Sequence, residues 1–154
     1  FITPNDTISF GEVAARIPGG HIFDLMKKAY GFDPYVGFAM CCNPKTTDEE
    51  LTAFFPNGPE DRVQYSGCVM VYPKHQRVAG TDIPEELLND PYYEKHDLFV
   101  PVNAKVAERA GFGNHYGTVY FNGEDPERMR ELLVQYDHYD FYVSDATQEA
   151  MASV

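Results

Sequence analysis

The sequence contains no tryptophan, few basic residues and no long apolar run. Twelve lysines and arginines stand against 24 aspartates and glutamates, so the formal net charge is −12 at pH 7. Such an acidic surface repels a phosphate backbone, and we therefore expect no nucleic-acid partner. A membrane-spanning helix needs about 18 or more consecutive apolar residues. The sequence has no such stretch, so we expect no membrane partner either.

Cysteine is also scarce, and its placement excludes two common uses. The cysteines are Cys41, Cys42 and Cys68. Adjacent cysteines do not easily form an ordinary disulfide with each other, and the C-x-x-C spacing typical of zinc ligands is absent. This usage fits the reducing cytoplasm, where we expect the protein to reside. Because a free cysteine behaves as a small apolar side chain, we expect all three to be buried.

Apolar residues make up 44% of the chain, which is enough for a packed core. Apolar side chains at helical spacing, together with capping residues, predict the helices. These are expected over residues 21–31 and 34–42, in a short segment after Thr47, as a single turn at 84–89, and over 126–136. Alternating or β-rich segments predict strands over residues 65–73, 97–102, 115–122 and 139–144.

Residues 56–62 carry the strongest boundary pattern, with two prolines, a glycine and charges between apolar segments. This boundary divides the sequence into regions 1–55 and 56–154. In the second region, short strands, tight turns and one crossing helix predict a mostly antiparallel sheet that ends in a β-α-β unit. The predicted fold class is therefore α+β.

The first residues predict a strand hairpin. Residues 7–14 alternate in polarity, and Pro4-Asn5-Asp6 before them is typical of a turn. The first arm of this hairpin holds so few residues that it would pair poorly. Either the arm is naturally short, or the sequence begins inside a strand whose partners lie upstream. We favour the second interpretation.

Chemistry-bearing residues follow this hairpin in the stretch GEVAARIPGGH. Glu12 can hold Mg²⁺, and Arg16 can bind phosphate oxygens through two parallel hydrogen bonds. Gly19 and Gly20 place bare backbone N–H groups at a predicted helix start, which attracts anions. Together these groups are typical of a phosphoryl-binding site. The alternative is structural: a strand-end ion pair followed by an ordinary Pro-Gly-Gly turn.

The stretch TPNDTISFGEVAARIPGGHIFDLMKKAYGFDPY resembles the end of the catalytic core of ATP-grasp enzymes, especially carboxylate–amine ligases that include amino-acid ligases. These enzymes often show a strand hairpin, a glutamate, R-x-x-G-G, a helix and a G-x-D stretch. The matching positions are Glu12, Arg16, Gly19, Gly20, Gly31 and Asp33. The good match covers roughly residues 1–40, and GTVYFNGEDPERMRELL resembles the C-terminal subdomain more loosely.

The resemblance implies a role for each residue of this constellation. Glu12 would bind the Mg²⁺ that bridges the outer phosphates of ATP, and Arg16 would hold the phosphate of an acyl-phosphate. The amides around Gly19 and Gly20 would assist. His21 would either face the substrate pocket or only cap the turn. ATP and a small carboxylate or amino acid are the implied partners, with the ligase acting in full only as a longer protein.

The sequence also departs from the family. Many members carry a metal-binding asparagine two residues after the glutamate, where this sequence has Ala14. The lobe that clamps ATP lies upstream of the glutamate in such enzymes, and the residues before Glu12 are too few to form it. We therefore expect this chain to be a C-terminal portion with an apolar face that favours self-association. Two alternatives stay open: a noncatalytic binding or assembly module with this fold, and a small standalone metal-dependent hydrolase, which would need a second acidic or His cluster near Glu12.

Overall fold

The computed structural model describes residues 17–72, 74, 77–99 and 115–143. The predicted N-terminal hairpin lies outside these residues. Within them, no helix has the length and apolar character needed to cross a membrane.

The described chain has a helical first part and a sheet-rich second part. The helices are α1 (Ile22–Tyr30), α2 (Pro34–Cys42), α3 (Asp48–Phe54), α4 (Glu85–Leu88) and α5 (Pro126–Asp137), with a 3-10 turn at Pro59–Asp61. The strands are β1 (Tyr65–Val71), β2 (Gly80–Thr81), β3 (Tyr93–Leu98), β4 (Gly117–Gly123) and β5 (Tyr142–Val143).

The boundaries of α1 and α2 follow the predicted end signals. Gly31 adopts φ 75°, a left-handed conformation that glycine tolerates, and its N–H bonds to the carbonyl oxygen of Lys27. Asp33 then caps α2, since its carboxylate accepts hydrogen bonds from the backbone N–H groups of Tyr35 and Val36. These predictions are confirmed.

The predicted capping box of α3 is also present. The Thr47 hydroxyl accepts a hydrogen bond from the Glu50 N–H at 3.2 Å, and the Glu50 carboxylate accepts one from the Thr47 N–H at 2.8 Å. Asp125 caps α5 by accepting a hydrogen bond from the Glu127 N–H at 2.9 Å. Short-range side-chain chemistry therefore accounts for where these helices begin.

Strands β1, β4 and β3 form an antiparallel sheet in that order. Strand β3 begins earlier than the segment 97–102 that the sequence predicted. The reason is that its residues are largely charged, with Glu94, Lys95 and Asp97 among them, so its pattern lacks an apolar alternation. Charged side chains are usual on a strand at the edge of a sheet.

The predicted β-α-β unit is wrong. Of the strand expected over residues 139–144, the described residues contain β5, which pairs with β2 rather than with β4. Helix α5 therefore leads from the three-stranded sheet to a separate two-stranded one. The pairing partner of a strand depends on residues far away in the sequence, so local pattern could not identify it.

The core lies between α5 and one face of the three-stranded sheet. Its buried members are Val69, Val71, Val78, Leu87, Val119, Phe121, Met129, Leu132, Tyr136, Phe141 and Tyr142. The opposite face carries both polar and apolar side chains, with Ser66, Met70 and Thr118 among them, and α1 packs against β1. Because neighbouring residues of a strand point to opposite faces, β1 and β4 supply both surfaces.

The cysteines correct one prediction from the sequence. Cys41 and Cys42 are exposed at the end of α2 rather than buried, and Cys68 is half-buried on β1. Burial raises the pKa of the Cys68 thiol. Helix α2 is apolar on all sides and packs against α1 and α3, while the two cysteines of its last turn stay exposed.

Candidate functional site

Only part of the predicted site lies within the described residues. Glu12 and Arg16 lie outside the described residues, so their predicted roles in metal and phosphate binding stay predictions. Gly19, Gly20 and His21 are described and form the turn that leads into α1.

This turn has an unusual backbone. Gly20 and His21 adopt φ values of 66° and 64°, both in the left-handed region. A Cβ atom on Gly20 would lie 2.8 Å from the Met70 side-chain carbon Cε, so the turn approaches β1 closely. The left-handed conformation favours glycine at position 20, and a Cβ there would also have to displace the flexible end of the Met70 side chain. A histidine at positive φ is uncommon and implies strain that the surroundings must offset.

The imidazole of His21 supplies the compensating contacts. Its Nδ1 lies 3.0 Å from the Tyr120 hydroxyl, and its Nε2 lies 3.3 Å from the Thr118 hydroxyl. Residues 118 and 120 share one face of β4 because they are two positions apart. A hydroxyl group either donates or accepts, so both tautomers of His21 can satisfy both contacts. The sequence had left open that His21 caps the turn, but its side chain makes no capping hydrogen bond.

Three further groups surround the His21 ring. The Asp24 carboxylate lies 3.7 Å from Nδ1. The His115 ring packs edge-on against His21 with centroids 5.6 Å apart, and Phe99 packs against His115 in turn. No group of three or more His, Cys, Asp or Glu side chains is placed to hold a metal among the residues that the structure describes. The contacts of His21 with Thr118 and Tyr120 anchor the turn to the sheet.

The other residues of the family-like pattern have structural roles. Gly31 ends α1 as described above. Asp33 caps α2 and also accepts a hydrogen bond from the Lys27 ammonium at 2.6 Å. That hydrogen bond lowers the pKa of the Asp33 carboxyl and raises the pKa of Lys27. The G-x-D stretch thus ends α1, begins α2 and joins the two helices through the Lys27–Asp33 ion pair.

Sequence reasoning missed the partners of His21. Thr118 and Tyr120 lie 97 and 99 positions away along the chain. The alternation within GTVYFNG does indicate that they share a face of a strand, but nothing local indicates that α1 crosses that face.

No protein-family model matches the sequence, and no curated protein matches it either. Among solved structures, the chain is similar to an L-amino acid ligase from Bacillus licheniformis, with a TM-score of 0.62 and 16% sequence identity. The match covers 85% of this chain and 31% of the ligase chain, so the sequence spans about a third of that protein. At this identity the likeness shows the fold alone. The predicted α+β class is confirmed, and the fold is ATP-grasp-like.

Proposed function

We propose that this chain is the C-terminal part of an ATP-dependent carboxylate–amine ligase. The observation that carries the proposal is the structural likeness to an L-amino acid ligase over 85% of the chain. The order of Glu12, Arg16, Gly19 and Gly20 in the sequence supports it independently.

The reaction would proceed in two balanced steps. A carboxylate oxygen of the substrate attacks the γ-phosphorus of ATP, which forms an acyl-phosphate and releases ADP. The amine nitrogen of the second substrate then attacks the acyl carbon. The amide bond forms, inorganic phosphate leaves with the C–O bond electrons, and the nitrogen loses a proton. Such chemistry depends mainly on positioning and on neutralising charge.

Each residue of the constellation has a place in this proposal. Glu12 would be a ligand of Mg²⁺, which neutralises charge on the outer phosphates of ATP when bound. Arg16 would hold the phosphate of the acyl-phosphate and of the tetrahedral intermediate formed from it. Gly19 and Gly20 would donate backbone hydrogen bonds to the same anion, and His21 would keep their turn against β4.

The protein encoded by the complete gene provides the test. We expect it to release ADP only when ATP, Mg²⁺, a carboxylate and an amine are all present, with an amide product visible by mass spectrometry. Arg16→Met should lower kcat/KM about 100- to 1,000-fold, as the loss of one preorganised donor does elsewhere. Arg130→Met, an exposed arginine on α5, is the matched control and should leave the rate unchanged.

Two results would contradict the proposal. One is a folded full-length protein that releases no ADP with any carboxylate and amine pair, which would favour a noncatalytic binding module. The other is equal activity of the Arg16→Met and Arg130→Met variants.

A further inference from the structure

The two edges of the three-stranded sheet differ in how well they are protected against a further strand. Strand β3 forms one edge, where the register shifts between Tyr93 and Lys95 and where Glu94, Lys95 and Asp97 carry charge. Charges and bulges at an edge discourage pairing with another chain. Strand β1 forms the other edge, and its seven residues include no charged residue and no proline. They pair with β4 in an unbroken register, so β1 lacks these protections.

The outer side of β1 offers backbone groups for pairing. Within the residues that the structure describes, β1 pairs with β4 and with no other strand. Alternate N–H and C=O groups of an edge strand point away from its one neighbour. Such a row of donors and acceptors is a template for a further strand.

Two adjoining cavities lie along this outer side. The larger, of about 500 Å³, is lined by the consecutive residues 69–72, and the smaller, of about 280 Å³, by Cys68 and Val69. Side chains of consecutive strand residues point to opposite faces, so a cavity lined by four of them in a row lies at the edge of the strand. Val69 and Asp137 line both cavities, and we call the two together the β1 edge groove.

Apolar side chains line the groove on the side of α5. Leu133 and Val134 line the smaller cavity, and Tyr136, Tyr139 and Phe141 line the larger one. Val134 is 59% exposed, so an incoming side chain can reach it. This lining favours an occupant with apolar side chains.

Charged side chains stand at the rim of the groove, and more of them are basic than acidic. Lys74, Arg130 and His138 line it together with Asp137. The Lys74 ammonium donates to the His138 carbonyl oxygen at 2.8 Å and retains further donors. Arg130 contacts Glu127 at 3.3 Å, but both side chains are largely exposed, and such pairs hold weakly. On a chain of net charge −12, this rim favours an acidic occupant.

A second copy of this chain does not fit the groove through its own β1. Helix α5 packs on one face of β1, and α1 packs against β1 from the other. Two paired β1 strands would lie about 5 Å apart. A helix of each copy would then lie at about the same distance from a helix of the other, whereas helices pack about 8–10 Å apart. The occupant must therefore be a strand that carries no helix.

We propose that the β1 edge groove binds an extended peptide segment of another protein, which adds to the sheet as a strand beside β1. The peptide backbone pairs with the outer side of β1. Two apolar side chains at alternate positions enter the two cavities, and acidic side chains on the same face lie next to Lys74 and Arg130. In this binding mode the main-chain hydrogen bonds give affinity, and the pockets for alternate side chains give specificity. The proposal does not depend on the ligase reaction, and its test uses no ATP.

Titration of the ¹⁵N-labelled 154-residue chain with synthetic peptides tests the proposal. The peptides are N-acetyl-Glu-Thr-X-Thr-X-Thr-Glu-amide, with valine, leucine or phenylalanine at X, so that the X residues and the glutamates share a face. At least one peptide should shift the backbone amide signals of residues 66–71 in a saturable way, with a Kd of about 1 mM or tighter. Alternate amides of β1 should exchange fast in the free chain and become protected in the complex.

N-methylated peptides distinguish strand pairing from other contacts. N-methyl groups on the odd-numbered peptide residues occupy one edge of the extended peptide, and those on the even-numbered residues occupy the other. One of these two peptides should bind about tenfold more weakly than the parent peptide, while the other should bind like it. Replacing both glutamates of the parent peptide by lysine should weaken binding about fivefold.

Charge reversal in the chain tests the rim of the groove. Lys74→Glu and Arg130→Glu should each weaken peptide binding about 3- to 10-fold. Lys45→Glu, at an exposed lysine between α2 and α3, is the matched control and should leave the Kd unchanged. Circular dichroism checks that each variant is folded.

The proposal is overturned if none of the peptides gives a saturable shift at ~5 mM, or if the two N-methylated peptides bind equally. Equal affinities of the Lys74→Glu and Lys45→Glu chains would overturn it too. If every amide of β1 is protected in the dilute free chain, the edge is already covered. Protection that grows with chain concentration would show instead that a second copy covers it, and either result contradicts the proposal.

Discussion

His21 has a strained backbone conformation, and its side chain contacts residues that are far away in the sequence. Its φ of 64° is uncommon for any residue other than glycine, although asparagine, aspartate and histidine adopt it more often than the rest, and the imidazole bonds to two hydroxyl groups of β4. The cost of the backbone conformation is of order 1 kcal/mol or more, so those contacts must offset it. The turn that precedes α1 is thus held by the sheet rather than by its own sequence.

Tyr120→Phe tests this anchoring. The substitution keeps the ring in place but removes the hydroxyl that bonds to His21 Nδ1. We expect the free energy of unfolding, measured by urea denaturation, to fall by about 0.5–1.5 kcal/mol.

Tyr35→Phe on the exposed side of α2 is the control, and we expect it to change the same quantity by less than ~0.5 kcal/mol. Equal losses in the two variants would show that the Tyr120 hydroxyl does not anchor the turn.

Among the elements, helix boundaries were the features that the sequence predicted best. Caps act within three or four residues, so Asp33, Thr47 and Asp125 identify the starts of α2, α3 and α5 without any tertiary information. The start of strand β3, in contrast, was not predicted from the sequence. Its charged residues are stabilised as a strand by pairing with β4, which the local pattern does not reveal.

The cap of α3 provides a test at the scale of the element. Thr47→Ala removes half of the capping box and should destabilise the helix by about 0.5–2 kcal/mol. Hydrogen exchange of the α3 amides measures this locally, and the Glu50 amide should lose most protection.

Thr52→Ala serves as the matched control, since the Thr52 hydroxyl bonds back to the Asp48 carbonyl within the same helix. Because alanine favours a helix interior, this variant should leave protection unchanged or raise it. If the two variants lose equal protection, the capping box does not stabilise α3.

At the scale of the whole molecule, α2 leaves apolar surface in contact with solvent. Tyr35 and Val36 are both nearly half exposed on a helix that is apolar on all sides. A helix of that composition is normally buried. The chain spans 31% of the ligase that it resembles in fold.

We expect this surface to drive self-association of the isolated chain. Light scattering should give a mass above the 17.4 kDa of one chain at high protein concentration. Val36→Glu should shift the distribution to monomer, because a charge in an apolar contact is costly.

Val134→Glu, at an exposed valine on α5, is the control and should leave the association unchanged. A strict monomer at every concentration would contradict the expectation, as would equal effects of the two glutamate variants.

The sequence alone determined the helix starts, the α+β class and the order of residues in the stretch from Glu12 to His21. These depend on contacts between near neighbours or on composition, which the linear order of residues contains. Its division at residues 56–62 and its assignment of Glu12 and Arg16 stay predictions.

Only the tertiary structure decided which distant residues and elements lie together and which side chains stay exposed. It placed His21 against Thr118 and Tyr120, set Ser66 opposite Asn122, paired β5 with β2 and exposed Cys41 and Cys42. Each of these outcomes joins or separates residues that are far apart in the chain. They follow from which faces of helices and strands pack together, and the periodicity of a single segment contains no information about its partner.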